Sequence, residues 1–253
     1  MTPNLLILGG TTEATALARM VAEAGIAGTV SFAGRVERPV RQPLPQRVGG
    51  FGGVKGLVEY LGTHRITHVI DATHPFAAQM SRNAIVACAQ TDIPLVAFTR
   101  PAWVQKNGDQ WQWVPDIAGA VAALGGPRER VMLAIGRMHL AEFAPNPQHF
   151  YLLRLVDPPR DPLPLPEIEA IIARGPFSAD ADAALMQRYE IDIVVSKNAG
   201  GAGAYAKIEA ARRLGLPVIM IDRPAIPPRN EAATPQEVMG WLVHAGAERG
   251  VYT

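Results

Sequence analysis

The chain has 253 residues, of which 48% are hydrophobic and 19% are charged, and its formal net charge at pH 7 is +1. This length suits one large domain or two modest ones, and the composition is that of an ordinary globular protein. The near-zero net charge gives no overall electrostatic basis for binding nucleic acid or an anionic membrane surface. Any binding of anions must therefore come from local clusters of charge.

The single cysteine, Cys88, excludes an intramolecular disulfide, and the apolar helical pattern around it predicts a buried thiol with no catalytic role. The chain has no apolar run long enough for a membrane span, and its beginning lacks the features of a signal peptide. We therefore expect a cytoplasmic protein. His64, His68 and His74 fall at different kinds of position along the predicted elements, which predicts no metal site.

The opening stretch predicts a strand, a tight turn and a helix. Residues Leu5–Leu8 form a continuous apolar run, and apolar residues recur at helical spacing from Ala14 to Val21. Between them, Gly9 and Gly10 allow close approach of the backbone, and Thr11 or Thr12 can cap the helix beside Glu13. The amides at the start of such a helix suit a phosphate, so we expect Gly9, Gly10, Thr11, Thr12 and Glu13 to bind the cofactor. The spacing is not G-x-G-x-x-G, so a glycine turn that only closes a β-α unit remains the alternative.

A second predicted strand, Thr29–Ala33, ends at Gly34-Arg35. An acidic residue at this point would bind the ribose hydroxyls of NAD, whereas an arginine can pair with the 2′-phosphate of NADP. Ser31 and Arg35 therefore favour NADP, with a solvated surface arginine as the alternative. The missing acid also weakens the case for a methyltransferase.

Residues Val36–Gln46 predict an exposed loop, which leads to a second glycine-rich turn, Gly49–Gly53, and a helix through Leu57 and Leu61. Packing alone does not require two glycine pairs around one phenylalanine. We expect the backbone at Gly52 and Gly53 to lie close to the cofactor.

The next predicted strand begins at His68 and ends in a polar loop, and a helix through Met80 and Cys88 follows it. Ligands of open parallel sheets are met at the carboxyl ends of strands, so this loop should border the cofactor. The loop contributes Asp71, Ala72, Thr73, His74 and Pro75. The following strand, Pro94–Phe98, ends near the basic residue Arg100.

The composition changes at Thr99–Trp103, which predicts a boundary between an NADP-binding domain (1–100) and a second domain (101–253). Beyond a polar segment at 104–115, strands are predicted at 131–135, 151–155, 191–195 and 217–221. Helices are predicted near 168–173, 184–189 and 235–244. Alternating strands and helices indicate an α/β fold with parallel sheets flanked by helices.

The second half has its own ligand-like turn, Ser196–Lys207. It is not a Walker A loop, and the chain has no Tyr-x-x-x-Lys pair, which argues against an ATPase and a short-chain dehydrogenase. Cations follow several predicted strands, and we expect them to face a cleft between the two lobes and to bind a polyanionic substrate. These cations are Arg35, Arg100, Arg137, Lys197, Arg223 and, on the following helix, Lys207.

The sequence resembles the precorrin-6A reductases of cobalamin biosynthesis, and the resemblance runs through nearly the whole chain. The motifs that carry it are Leu8–Ala14, Gly49–Gly53, Asp71–Ala77, Arg100–Trp103, Gly136-Arg137, Arg174–Phe177 and Ser196–Gly201.

The resemblance implies an oxidoreductase that uses NADPH to reduce one carbon–carbon double bond of the precorrin-6A macrocycle, giving precorrin-6B. It also implies two Rossmann-like lobes with the active site between them. The substrate is a tetrapyrrole with acetate and propionate arms, which the cations would bind. The expected substrate-binding residues are Arg100, Arg137, Lys197, Asn198, Gly200, Gly201, Tyr205 and Lys207. We also expect transient contacts with neighbouring enzymes of the pathway.

Reduction of a double bond needs a hydride on one carbon and a proton on its neighbour, and His74, Lys197 and solvent are the candidate proton donors. Two other functions stay open at this stage. One is a non-catalytic regulator that binds NADP, and the other is a transferase acting on a nucleotide-linked donor. Oxidation of NADPH in the presence of precorrin-6A distinguishes the reductase from both.

Overall fold

The computed structural model describes residues 3–34, 41–159 and 161–248, and the structural statements below refer to these residues. The chain folds into two compact units. The first contains the described residues of Met1–Pro101 and Ala225–Thr253, and the second contains those of Ala102–Pro224. The sequence-based division into 1–100 and 101–253 therefore differs from the structure at the C-terminal end, which returns to the first unit.

The strands and helices alternate along most of the chain. The strands are β1 (Asn4–Leu8), β2 (Ala27–Phe32), β3 (Gln46–Val48), β4 (His68–Asp71), β5 (Leu95–Phe98), β6 (Gln110–Val114), β7 (Arg130–Ala134), β8 (Phe150–Leu155), β9 (Ile168–Ile172), β10 (Ile193–Lys197), β11 (Pro217–Ile221) and β12 (Asn230–Ala232). The α-helices are α1 (Thr12–Glu23), α2 (Gly53–Thr63), α3 (Ala78–Thr91), α4 (Ile117–Ala123), α5 (Ala179–Arg188), α6 (Ala206–Leu214) and α7 (Pro235–Glu248). A 3-10 helix spans Arg137–Phe143.

The first unit contains a parallel sheet with the strand order β12-β5-β4-β1-β2-β3. Both faces of β1 are buried, because Leu5 and Ile7 pack with α1 and α7 while Leu6 and Leu8 pack with α2 and α3. The strand order reverses between β1 and β4, and dinucleotides bind at this kind of switch point in Rossmann folds. The predicted doubly covered parallel sheet is confirmed.

The second unit repeats this architecture with the order β6-β11-β10-β7-β8-β9, again parallel throughout. Its switch point lies between β7 and β10. One face of the sheet packs against α5 and α6, through Met186 and Ile208 among others. The expectation of two Rossmann-like lobes is confirmed for each unit taken by itself.

Two stretches of the second unit differ from the prediction. The helix expected near 168–173 is wrong, because Ile168–Ile172 forms the edge strand β9, paired with β8. The polar segment at 104–115 contains strand β6, in which Trp111 is buried and Trp113 is 45% exposed. Pairing with a neighbouring strand decides both cases, and short apolar stretches do not distinguish helix from strand by their pattern alone.

The C-terminal segment completes the first sheet. Strand β12 pairs with β5, and the Thr99 amide donates a hydrogen bond to the Ala232 carbonyl (3.0 Å). Helix α7 then buries Val238 and Leu242 in the same core as α1. Hydrophobic burial and strand pairing thus join residues 225–248 to the first unit. Within the described ranges, no helix is long and apolar enough to span a bilayer.

The turn before α2 places a carbonyl group against the helix. Gly52 adopts a φ of +80°, and a Cβ added at Gly56 would lie 1.7 Å from the Phe51 carbonyl oxygen. A Cβ added at Gly62, in the same helix, would meet no atom within 4 Å. The glycine at position 56 is therefore required by close contact.

We predict that Gly56→Ala lowers the free energy of unfolding by about 1–3 kcal/mol, because the helix must shift away from the turn. The matched variant Gly62→Ala should be neutral or stabilising by up to about 1 kcal/mol, because alanine favours helix. Urea denaturation of both variants checks this. Equal stability of the two variants would contradict the prediction.

Candidate functional site

The turn after β1 has the geometry that the sequence predicted for it. Thr11 is the N-cap of α1: its Oγ1 accepts a hydrogen bond from the Ala14 amide (3.1 Å) and donates one to the Ala72 carbonyl (3.0 Å). Gly10 has a φ of +124°, and a Cβ added there would meet no atom within 4 Å. The turn therefore presents open backbone at the switch point of the sheet, and Thr11 ties it to the end of β4.

The loop after β4 depends on Asp71, whose side chain is 1% exposed. Its Oδ1 accepts hydrogen bonds from the Thr73 amide (3.2 Å) and hydroxyl (2.7 Å), and its Oδ2 accepts one from Arg229 Nη1 (2.8 Å). The residues predicted to border a cofactor thus include a buried carboxylate that shapes the loop. Arg229 was missed, because it lies far along the chain and no motif marks it.

His74 lies half-buried in this loop. Its Nδ1 accepts a hydrogen bond from the Phe76 amide (3.2 Å). An imidazole nitrogen that accepts from an amide carries no proton, so the neutral ring carries its proton on Nε2. The loop thereby fixes the tautomer in which Nε2 can donate a hydrogen bond. Pro75 and Thr73 line a small cleft beside this loop, together with Thr11, Glu13, Phe98, Thr99 and Arg100.

Glu13 and Arg100 form an ion pair within the first unit. Arg100 Nη1 lies 2.8 Å from Oε1 and 2.9 Å from Oε2 of Glu13, and Thr12 Oγ1 donates to Oε2 (3.1 Å). Burial raises the pKa of the Glu13 carboxyl, but the hydrogen bonds from Arg100, the backbone and Thr12 outweigh it, and the pKa falls below its ordinary value of 4.5. The structure thus pairs a residue predicted for the cofactor with one predicted for the substrate.

Another arginine, Arg47, contacts residues at the carboxyl ends of β2 and β3. Arg47 Nη1 donates hydrogen bonds to Ser31 Oγ (2.7 Å) and the Gly49 carbonyl (2.9 Å), and its guanidinium carbon lies 3.9 Å from the centre of the Phe51 ring. Sequence reasoning missed Arg47, because it falls on a short strand at the end of a predicted loop. Arg35, predicted to bind a 2′-phosphate, lies outside the described residues.

Gly52 and Gly53 both have a φ of +80°, and neither position has an atom within 4 Å of an added Cβ. Their backbone is therefore open on the side where a Cβ would stand. This geometry leaves space at the second glycine-rich turn, and the close approach of a ligand to it stays a prediction.

In the second unit, the turn after β10 is held from both sides. The Trp103 amide donates to Asn198 Oδ1 (2.8 Å), and Asn198 Nδ2 donates to the Trp103 carbonyl (3.1 Å). Arg223 Nε donates to the Asn198 carbonyl (3.0 Å), and Trp103 Nε1 donates to the Gly201 carbonyl (2.7 Å). Asn198 and Arg223 therefore support this turn, and the substrate contact expected for Asn198 stays a prediction. Gly200 and Gly201 lie in it with φ values of +70° and +68°.

The remaining predicted substrate residues differ in their surroundings. Lys207 is 8% exposed, and its Nζ donates to the Ala204 carbonyl (2.6 Å). The Tyr205 hydroxyl accepts a hydrogen bond from Arg212 Nη2 (2.6 Å). Lys197 is half-buried at the end of β10, and Arg137 is exposed at the start of the 3-10 helix. The predicted substrate-binding cations thus differ in their burial and in their hydrogen-bond partners.

A larger cavity, with a volume of about 210 Å³, opens at the carboxyl ends of β7, β8 and β9. Lys207 lines it together with two residues that sequence reasoning missed, Arg154 and Asp182. These two form an ion pair in which Asp182 is 1% exposed. An arginine in mid-strand and an acid in a helical pattern carry no sequence signal that would have singled them out.

Cys88 is 4% exposed, which confirms the predicted core thiol. Burial, together with the nearby charge of Asp71, raises the pKa of this thiol to about 12. A thiol with so high a pKa is a poor nucleophile at neutral pH.

The Glu13–Arg100 pair leads to a prediction about pH. Because the pKa of Glu13 is lower in the folded state, the pair contributes stability above pH 4.5 and loses it as the pH falls through the folded-state value. Arg100→Gln should therefore destabilise the protein at pH 7, and its difference from the parent should shrink below pH 4.5. Urea denaturation as a function of pH measures this difference.

The control is Arg82→Gln in the same unit, because Arg82 Nη2 donates to the uncharged Ala225 carbonyl (2.8 Å). The decrease in the free energy of unfolding caused by Arg82→Gln should not depend on pH over the same range. A pH-independent cost for Arg100→Gln as well would contradict the assignment.

Comparisons with known proteins agree with this geometry. A family model described as "Precorrin-6x reductase CbiJ/CobK" matches residues 4–243. The precorrin-6A reductase of Rhodobacter capsulatus is 60% identical over 249 residues, covering 98% of this chain and 99% of its own. That of Rhodococcus erythropolis is 43% identical, with 96% and 97% covered. The cobalt-precorrin-6A reductase of Salmonella typhimurium is 30% identical, with 96% and 98% covered.

A solved structure described as "CobK precorrin-6A reductase" matches this chain with a TM-score of 0.93 and 59% identity, covering 96% of this chain and 97% of its own. Sequence and fold thus agree along nearly the whole length. The chain belongs to the precorrin-6x reductase family.

Proposed function

We propose that this chain reduces one carbon–carbon double bond of precorrin-6A to give precorrin-6B in cobalamin biosynthesis, with NADPH as the reductant. The observation that carries the proposal is the Gly9–Thr11 turn, which presents open backbone and the capped start of α1 at the β1/β4 switch point. Nicotinamide dinucleotides bind at such points in Rossmann folds. The nicotinamide, when bound, supplies a hydride to one carbon of the double bond.

The first unit fits a dinucleotide on its own geometry. The amides that follow Gly9 and Gly10, with Thr11 and Thr12, would hold the pyrophosphate at the start of α1. The positive end of this helix also has Glu13 beside it, and Arg100 offsets that negative charge. An anion can therefore approach the turn without meeting an uncompensated carboxylate.

The rest of the cofactor would lie along the carboxyl edge of the same sheet. Ser31 and Arg35 are the proposed partners of the adenosine 2′-phosphate, and the Gly52-Gly53 turn would lie alongside. Ala72, Thr73, His74 and Pro75 would border the nicotinamide. Asp71 would act behind them by holding the loop, because both of its oxygens are engaged by protein groups.

The second unit would bind the carboxylate arms of the macrocycle. Arg137, Lys197 and Lys207 supply positive charge, and the Gly200-Gly201 turn supplies backbone. Asn198 and Tyr205 would act by shaping this region, since both already make hydrogen bonds within the unit. We also propose that the protein acts in the cytoplasm and makes transient contacts with neighbouring enzymes of the pathway.

A proton must reach the carbon next to the one that receives the hydride. The neutral His74 ring, with its proton on Nε2, can donate a hydrogen bond there, but it can give up a proton only if Nδ1 is protonated first and loses its hydrogen bond from Phe76. The Lys197 ammonium, which becomes a neutral amine when it gives a proton, and solvent are therefore the proposed donors. A proton from solvent restores the ammonium, so the reaction consumes one hydride and one proton.

The direct test uses NADPH that carries deuterium at the transferred position of the nicotinamide. We expect the nicotinamide absorbance to fall when the protein is mixed with precorrin-6A, and the product to retain one deuterium by mass spectrometry. A turnover in D₂O with unlabelled NADPH should place the second label on the neighbouring carbon. Cofactor binding without loss of absorbance would instead support a regulator, and group transfer without oxidation would support a transferase.

Cofactor choice gives a second test. Arg35→Ala should raise the KM for NADPH about tenfold or more with little change in the KM for NADH, because the lost charge-assisted hydrogen bonds go to the 2′-phosphate alone. Arg41→Ala is the matched control, since Arg41 is an exposed arginine of the same segment. Equal effects of Arg35→Ala on the two cofactors would contradict its proposed role.

A further inference from the structure

We infer that the cavity at the carboxyl edge of the second sheet is a receptor for one carboxylate-bearing arm of the tetrapyrrole substrate. Arg154 would be the anion-binding group in it. This inference rests on the proposed function for the nature of the substrate. The cavity itself is defined by the described residues of the second unit.

The orientation of Arg154 is fixed by two contacts. Its Nη2 donates a hydrogen bond to Asp182 Oδ1, and its guanidinium carbon lies 3.9 Å from the centre of the Phe177 ring. Within the described residues, its Nε and Nη1 make no hydrogen bond. A guanidinium presents its donors in a planar fork that matches a carboxylate with two parallel hydrogen bonds. Arg154 is therefore held in place with part of that fork still able to bind an anion.

Asp182 holds Arg154 from a buried position at the wall of the cavity. Its Oδ1 accepts the hydrogen bond from Arg154, and its Oδ2 is buried without a hydrogen-bond partner among the described residues. The charge of Asp182 is therefore compensated by Arg154, and this pairing fixes the guanidinium beside the cavity.

The charge and the walls of the cavity suit a carboxylate on a short carbon chain. Arg154 and Lys207 bring two positive charges and Asp182 brings one negative charge, so the three side chains carry an excess of one positive charge. Leu133, Val156 and other apolar side chains line the remaining walls. An acetate or propionate arm has the matching parts, a methylene stem for the walls and one negative charge for the cations.

This inference also gives a role to the Arg174–Phe177 motif, which the sequence analysis singled out without assigning a function to it. Gly175 and Phe177 both line the cavity, and Phe177 supplies the ring under Arg154. Arg174 Nη2 donates to Asp157 Oδ1 (3.0 Å) and so holds the motif to the segment after β8. The motif would act by positioning Arg154.

The test measures equilibrium binding of uroporphyrin, a tetrapyrrole with acetate and propionate arms, to the whole chain by fluorescence. Arg154→Gln should weaken binding about tenfold or more, because a charge-assisted hydrogen bond is lost. Phe177→Leu keeps the charge but removes the ring, and it should weaken binding about threefold. The KM for NADPH should stay within about twofold in both variants, since this cavity is assigned to the other ligand.

The matched control is Arg130→Gln. Arg130 lies at the opposite end of the same sheet, also half-buried, with its guanidinium carbon 4.1 Å from the centre of the Phe150 ring. Its substitution should leave uroporphyrin binding unchanged. Thermal unfolding of each variant verifies that the loss of binding is not a loss of folding.

The inference is overturned if the parent chain does not bind uroporphyrin, or if Arg154→Gln binds it as tightly as Arg130→Gln does. A rise in the KM for NADPH caused by Arg154→Gln would also overturn it. The proposed function fails separately, if the parent chain binds the tetrapyrrole through Arg154 but does not oxidise NADPH with precorrin-6A.

Discussion

Asp71 ends a central strand of the first sheet, and its buried carboxylate is shared between Thr73 and Arg229. Removing one partner of such a buried pair typically costs about 3–5 kcal/mol, because the other charge is left without compensation. The pair fixes the loop that carries His74 and joins it to the segment that forms β12. The loop at the carboxyl edge of the first sheet therefore depends on a contact between residues 158 positions apart in the sequence.

The cations of this protein illustrate how environment divides residues of one type into different roles. Arg100 forms an ion pair with Glu13. Arg223 donates a hydrogen bond to the Asn198 carbonyl in the turn after β10, whereas Arg137 is exposed. Each position follows a strand, so each has the same signal in the sequence. Their electrostatic value to an anionic ligand differs, because a cation that is already paired with a carboxylate contributes less net charge than one that is not.

The two units share one architecture but differ at the carboxyl edges of their sheets. In the first, the glycine turns after β1 and before α2 leave backbone open at this edge, a geometry that suits the extended phosphate chain of a dinucleotide. In the second, charged side chains and apolar walls form a cavity at the same edge, with Arg154 held by Asp182 and Phe177.

Local patterns in the sequence determined much of the fold of this protein. The apolar run Leu5–Leu8, the glycines after it and the Thr11 cap predicted the first β-α unit, and the alternation of elements predicted parallel sheets covered by helices. These features depend on residues a few positions apart, whose preferences act locally. The family motifs added the function. Only the tertiary structure showed that β6 and β9 are strands and that residues 225–248 return to the first sheet. It also decided that Arg229 meets Asp71 and Arg154 meets Asp182, because long-range ion pairs and strand pairing depend on how the chain folds back, which no local pattern encodes.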